Sequence, residues 1–323
     1  MTTIDVLSDV LGVIKLDTAI YLNAEFSEPW AFAHPDSTHL APVLAPGSEQ
    51  VMIYHLLVDG RAYVQLDGGQ RVALSPGDIV TFPHGNPHVF GSGDSVAPQD
   101  AAAALPGVLA NGLQLIQGGG GGPSSRFICG YLACDTQISH AFLNGLPPVV
   151  KVNIRDEEGQ WLESSLRFSV QEASTGATGS RAMLTRLAEA VFAETLRRYI
   201  HSLPEGETGW LAGTRDPEVG RALGLLHQRP AEPWTIASLA HEVGLSRTVL
   251  VERFRYFLDE SPMAYLTSWR LRLAARTLRA NPSSSLTTTA AAVGYESDAA
   301  FSRAFKREFG VPPAQYRRDA RAS

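Results

Sequence analysis

The sequence predicts an α+β chain in two parts. A β-barrel or jelly roll with added helices comes first, and an all-α domain with two helix-turn-helix units follows. Three observations point there. Between residues 50 and 90, short apolar runs alternate with Asp-Gly and Gly-Gly turns, the texture of barrels and jelly rolls. Near the C-terminal end one pattern occurs twice: Leu239–Ser246 followed by Leu250 and Phe254, then Ala290–Ser297 followed by Phe301 and Phe305. Charge is also divided. Residues 218–323 hold 15 Lys and Arg against 10 Asp and Glu, whereas residues 1–217 hold 12 against 23. The tail is therefore basic although the whole chain carries −6.

With 323 residues, 44% hydrophobic and 19% charged, the chain is long enough for two domains with real cores. The start of the chain has no basic-then-apolar signal, and no apolar run is long enough to span a bilayer. The expectation is a cytoplasmic protein without membrane contact. Two cysteines, Cys129 and Cys134, make no disulfide framework.

Residues 1–28 read as an amphipathic helix followed by a strand. Val51–Val58 is a strand stopped by Asp59-Gly60, and Ala62–Leu66 is the next, turning at Asp67-Gly68-Gly69. Ser75-Pro76-Gly77-Asp78 turns into the strand Ile79–Phe82. Residues 92–125, rich in Ala, Gly, Pro and Ser and including Gly118–Gly122, read as a mobile insertion. No Gly-Lys-Ser/Thr follows the glycine run, which speaks against a phosphate loop. Strand texture returns at 126–135, and Leu146-Pro147-Pro148 precedes a helix near 159–173. These elements make a first domain, 1–180.

The segment 181–217 holds a strong helix. Leu184, Leu187, Ala188, Val191, Phe192, Leu196, Tyr199, Ile200 and Leu203 fall on one face. Two readings stand: packing against its own chain, or pairing with a second copy. A helical segment at 216–228 leads into the third region, 218–323. There the two repeats give helix-turn-helix units at about 236–257 and 286–308. In each, a helix ends at a glycine, Gly244 or Gly294, and a Ser, Ser246 or Ser297, caps the next helix.

The residues of the tail are specific. Trp234–Ala240, Gly244-Leu245-Ser246, Arg253-Phe254, Ser261-Pro262 and Trp269-Arg270-Leu271 are followed by Gly294-Tyr295-Glu296-Ser297, Phe301–Lys306, Phe309–Pro313 and Tyr316-Arg317. This resembles the DNA-binding domain of the AraC/XylS family of bacterial transcription regulators. Upstream, Gly77–His88 resembles the second cupin motif, G-x5-P-x-G-x2-H, and His55–Gly60 resembles the strand and turn of the first, whose H-x-H and Glu are absent. The resemblance implies a cupin-type sensor domain, a long helix at about 262–279 joining two helix-turn-helix units, and no enzyme activity. It also implies promoter DNA and RNA polymerase as partners, usually in activation, and a homodimer. A metal-dependent cupin enzyme and an architectural DNA protein are the rival readings.

By position in the family motif, Arg247, Thr248, Val251 and Glu252 face the groove from the first recognition helix, and Asp298, Ala299, Ser302 and Arg303 from the second. Arg303 is the candidate for a bidentate guanine contact. Glu252 and Asp298 suit cytosine N4, and Val251 and Ala299 can touch a thymine methyl. Arg247, Arg253 and Arg255 are candidate phosphate contacts. In the barrel, His55 shares a strand face with Ile53 and Leu57, and His88 occupies the cupin ligand position. With Cys129 they form a candidate zinc set, since imidazole and thiolate are zinc's usual ligands. The alternative is a barrel without metal that keeps two hydrogen-bonded histidines. A redox role for Cys129 and Cys134 is a further alternative.

Overall fold

The computed structural model describes residues 5–13, 16–46, 48, 50–94, 96–134, 145–156, 159–281 and 283–322. They fall into two compact units: residues 16–136 with 146–201, and residues 202–323 with the N-terminal segment 1–15.

The first unit is built on two sheets. One has the order β11-β6-β3-β10-β1-β9 and the other β5-β4-β7-β2-β8. The six-stranded sheet uses β1 (Leu16–Ser27), β3 (Met52–Asp59), β6 (Asp78–Phe82), β9 (Ile116–Gly119), β10 (Ser124–Cys134) and β11 (Val150–Asn153). The five-stranded sheet uses β2 (Trp30–His34), β4 (Ala62–Leu66), β5 (Arg71–Leu74), β7 (His88–Ser92) and β8 (Gln99–Asp100). Both contribute to one core. Trp30 of β2 stacks on Phe127 of β10 at 4.9 Å, and Phe90 of β7 meets Phe127 edge-on at the same distance. The expected barrel is thus two facing sheets that do not close among the described residues. Each sheet keeps its own edge strands, and the buried aromatic layer between them replaces closure.

Within the insertion expected at 92–125, the described residues include a helix and strands. Asp100 caps a helix, α3 (Ala101–Ala110), by accepting from the Ala102 amide at 2.9 Å, and the alanine-rich run favours helix. An earlier short helix, α2, spans Ala41–Leu44. The glycine run serves close approach: β9 pairs in parallel with the end of β1, where a Cβ at Gly118 would stand 2.8 Å from the Phe26 ring.

Two helices complete this unit: α4 (Gln160–Ser174) and α5 (Ser180–Ser202). Arg155 fastens the turn into α4. Its Nε and Nη2 donate to Glu163 at 3.0 and 3.1 Å, and Nη2 also donates to the Val58 carbonyl at 2.7 Å. Such a bidentate pair holds direction as well as distance. Arg198 of α5 pairs with Asp156 and with Glu194. Leu184, Ala188, Val191, Phe192, Leu196 and Ile200 of α5 are buried, so this stripe packs within the chain.

The second unit is helical. It holds α1 (Val6–Val13), α6 (Trp210–Arg215), α7 (Pro217–Gln228), α8 (Ile236–Val243), α9 (Arg247–Leu258), α10 (Pro262–Ala280), α11 (Leu286–Ala292), α12 (Asp298–Phe309) and α13 (Pro313–Ala322). Helix α8 starts with a reciprocal Thr235–Ser238 capping box and stops at Gly244, φ 77°. Ser246 caps α9 and Ser297 caps α12. Helix α10 runs between the two short pairs α8–α9 and α11–α12. Its Arg270 donates to the carbonyls of Pro230 and Glu232 at 2.6 and 2.7 Å.

At its other end Tyr265 carries a buried polar chain. Trp210 Nε1 donates to the Tyr265 hydroxyl at 2.9 Å, and that hydroxyl meets His227 Nε2 at 2.7 Å. His227 stacks on Trp269 at 3.8 Å. Asp9 of α1 stands 3.8 Å from His227 Nδ1. Burial, and then Arg272, hold the His227 ring neutral, with its pKa pushed down to about 3. The Asp9 contact is therefore not an ion pair.

Two predictions follow from this packing. Gly244 and Gly294 both have positive φ, but a Cβ at Gly244 meets open space whereas at Gly294 it would lie 2.8 Å from the Ala231 carbonyl oxygen. Gly244→Ala should cost about 1 kcal/mol and Gly294→Ala about 3 kcal/mol, because overpacking adds to backbone strain; denaturant unfolding of the full chain measures both, and equal losses contradict the packing. His227 has a folded pKa below its unfolded value of about 6.5, so its share of stability is present above that pH and is lost as pH falls toward 3. Between pH 7 and 5 the chain should lose about 2 kcal/mol more than His227→Gln does; parallel losses in the two proteins contradict it.

Candidate functional site

Two places on the chain carry functional chemistry, one in each unit. In the helical unit they are α9 and α12. Each buries one stripe, Leu250 and Phe254 on α9 and Phe301, Ala304, Phe305 and Phe309 on α12. Arg247, Thr248 and Glu252 are exposed and Val251 is half-buried. On α12, Asp298, Ala299 and Arg303 are exposed and Ser302 is half-buried. Each set of four therefore lies on the side of its helix away from the buried stripe.

The side chains are not equally available. Arg247 and Arg303 make no hydrogen bond or ion pair among the described residues. Asp298 is engaged: Thr287 Oγ1 of α11 donates to its Oδ2 at 2.6 Å. That bond ties α11 to the first turn of α12, where a carboxylate also suits the positive end of the helix dipole. Arg253 is engaged too. It pairs with the buried Asp216, and with Glu218 at 3.1 Å. Asp216 at the same time caps α7 by accepting from the Val219 amide at 2.9 Å. Arg253, expected among the phosphate contacts, instead holds the start of α7 against α9. Arg255 remains exposed.

In the sandwich, three histidines from three strands converge: His34 of β2, His55 of β3 and His88 of β7. One ligand atom from each lies within 4.8 Å of the others, and all three are buried. His34 and His88 are register partners on β2 and β7, and their rings stack at 4.6 Å. Cys129 is the register partner of His55 on β10.

The hydrogen bonds define the protons. His88 Nδ1 lies 2.9 Å from the Asn86 carbonyl, which only accepts, so Nδ1 carries the hydrogen. His88 Nε2 then accepts from His55 Nε2–H at 2.9 Å. His55 Nδ1 in turn accepts from the Cys129 thiol at 2.7 Å. Burial keeps every member neutral. The pKa of His34 is lowered to about 4, those of His55 and His88 are pushed well down, and the Cys129 thiol is pushed up. A thiol held protonated in an apolar interior is a poor nucleophile and a poor redox sensor. The Cys134 side chain lies outside the described residues.

The expected set His55, His88 and Cys129 is therefore rearranged. Cys129 meets His55 at Nδ1, the nitrogen turned away from His88, because the two ring nitrogens point to different sides. His34 joins His55 and His88 instead. Only the β2–β7 register reveals His34, and nothing in its local sequence marks it. The three histidines fit zinc once His55 carries its hydrogen on Nδ1, where the Cys129 sulfur can accept it: all three are neutral imidazoles, and His34 Nδ1 is a buried atom without a partner. A bound ion would cross-link β2, β3 and β7.

A β-sandwich carried on one chain with a basic, glycine-punctuated helical unit is the build of a DNA-binding transcription regulator. Comparison with known proteins bears on the class directly. The cupin family model matches residues 5–201, and a helix-turn-helix domain model matches residues 239–319. An AraC-like transcription regulator of Streptomyces lividans is 31% identical over 315 residues, 97% of this chain and 98% of its own. The RCS-specific HTH-type transcriptional activator RclR of Escherichia coli is 25% identical over 98% of each chain. Among solved structures, the DNA-binding domain of AdpA in complex with a target DNA is 28% identical. It covers 33% of this chain and 95% of its own, with a TM-score of 0.32. The chain belongs to the AraC/XylS family of transcription regulators, with an N-terminal cupin domain. No helix among the described residues is long and apolar enough to cross a membrane.

Proposed function

We propose that this regulator activates transcription by placing two helix-turn-helix units, α8–α9 and α11–α12, on promoter DNA, under control of a signal sensed in the cupin domain. The observation that carries the reading is the exposed Arg303 on α12, unpaired among the described residues and backed by the buried Phe301 and Phe305 on the opposite side. A helix of 19 residues, α10, joins the two units. At about 1.5 Å per residue it is roughly 28 Å long, close to the ~34 Å turn of the duplex.

The reading faces are unequal. On α12, Arg303 reads guanine and Ser302 contacts either base or backbone. Asp298, held by Thr287, serves mainly to fix the helix start, and Ala299 lets the backbone approach. On α9, Arg247 grips phosphate, Thr248 and Glu252 offer polar contacts, and Val251 meets a thymine methyl. The activator role draws on the resemblance and on the activator name of the Escherichia coli relative; contact with RNA polymerase draws on the resemblance alone. A homodimer is the working form. With the α5 stripe buried, Trp161 and Phe168 of α4 and Met183 of α5 are exposed apolar side chains that a second copy can cover.

Arg303→Ala should weaken binding to the selected site by about 1–3 kcal/mol and relax sequence preference, with little change on random DNA. Footprinting and competition with random duplex measure this; an equal loss on both DNAs removes Arg303 from base reading.

A second reading, that the cupin domain holds zinc, is favoured by the convergence of His34, His55 and His88. The purified chain supplied with zinc should then hold about one ion, and His88→Ala should lose it. Metal analysis decides: stoichiometric zinc retained in His88→Ala contradicts the site.

A further inference from the structure

Beside the histidine cluster the sandwich contains a second feature, a cavity of about 290 Å³ bounded by β1, β2, α3 and β9. This volume sits at the lower end of the roughly 300–1,000 Å³ typical of small-molecule sites. Phe26 and Phe32 line it and meet edge-on at 5.3 Å, with Leu22, Leu105 and Val108 around them. No Lys, Arg, Asp or Glu is in the lining. Apart from two exposed glutamines, Gln99 and Gln117, its polar member is His34. His34 is 9% exposed; its Nδ1 is wholly buried, and neither ring nitrogen makes a hydrogen bond among the described residues.

Two physical rules narrow the occupant. A charged ligand would be buried without a counter-charge, at a cost no apolar contact offsets. A purely apolar ligand would leave the cavity-facing nitrogen of His34, Nε2, unpaired, which carries its own penalty. A hydroxyl answers both, because it donates or accepts as the imidazole tautomer requires.

We propose that this cavity binds a small, uncharged, largely apolar molecule bearing one hydroxyl, of the phenol or medium-chain alcohol class, with the hydroxyl on His34 and the apolar body between Phe26, Phe32 and the inner face of α3. The proposal rests on the reading that the cupin domain senses a signal, and it names the class of that signal. An occupant touches the histidine cluster through His34 alone, whose ring stacks on His88 at 4.6 Å.

The test is calorimetric titration of the purified full chain with 4-ethylphenol, ethylbenzene and benzoate. The expected result is one saturable site for 4-ethylphenol, about three- to tenfold tighter than ethylbenzene as one added hydrogen bond provides, and no saturable binding of benzoate. His34→Phe should bring 4-ethylphenol and ethylbenzene within about twofold of each other. Leu105→Trp should abolish binding, and where it does not fold Val108→Phe takes its place. Equal affinity of the wild type for the two neutral probes, saturable benzoate binding, or undiminished binding in the cavity-filling variants overturns the proposal. These readouts need no DNA. If the probes bind as expected but footprints on sites selected from random sequence ignore every occupant of the cavity, the site stands and the sensing reading falls.

Discussion

The helical unit depends on one rod, α10, whose buried face carries Tyr265, Leu266, Trp269, Leu271, Ala274, Ala275 and Leu278. Its packing gives each short helix pair a fixed place along the rod. The Tyr265 hydroxyl joins α6 and α7 to its N-terminal part through Trp210 and His227. Arg270 holds the Pro230–Glu232 turn at mid-length, and Arg272 reaches Glu308 of α12 at 3.8 Å. Under the proposed docking of both pairs on DNA, such a helix spares binding energy that a flexible joiner would spend on ordering itself. The same rod explains why Gly294 tolerates no side chain: the second pair turns directly beneath the Ala231 backbone that Arg270 secures.

The cupin unit solves a different problem, burying polar groups in a sandwich. Aromatic stacking of Trp30, Phe90 and Phe127 fills the middle of the core. At one side, Cys129, His55 and His88 satisfy one another in sequence and end on the Asn86 carbonyl, leaving His34 as the member with an open nitrogen. Buried polar groups of this kind are retained only where paired, or where something else pairs them. The zinc reading and the hydroxyl-ligand reading are two ways of supplying that partner, and they predict different chemistry for the same residue.

Much of this was legible in the chain. The helix–Gly–Ser–helix signal set the bounds of both pairs because capping and turn chemistry are local: Thr235, Ser246, Ser285 and Ser297 each satisfy an amide within three residues. Strands β3, β4 and β6 were legible for the same reason, through alternation and turns. What escaped depended on distance in sequence. His34 lies 54 positions before its register partner His88. Residues 92–125 read as a mobile insertion because a run of glycines signals freedom, yet Gly118 of β9 lies against Phe26 and Gly120, just past the strand, against Pro29.

By itself, then, the sequence determined the family, the basic helical end, the places where helices start and stop, and the identity of the exposed arginines. Tertiary structure alone decided which charges are free and which are committed. Arg253 is spoken for by Asp216 and Glu218, 37 and 35 positions away, and Asp298 by Thr287, whereas Arg247 and Arg303 remain unpaired among the described residues. It also decided that Cys129 stands behind His55 while His34 stands beside it. The physical reason is the same in each case: caps and turns are fixed by neighbours in the chain, whereas the partner of a charge or an imidazole is whatever the packed elements bring within about 3 Å.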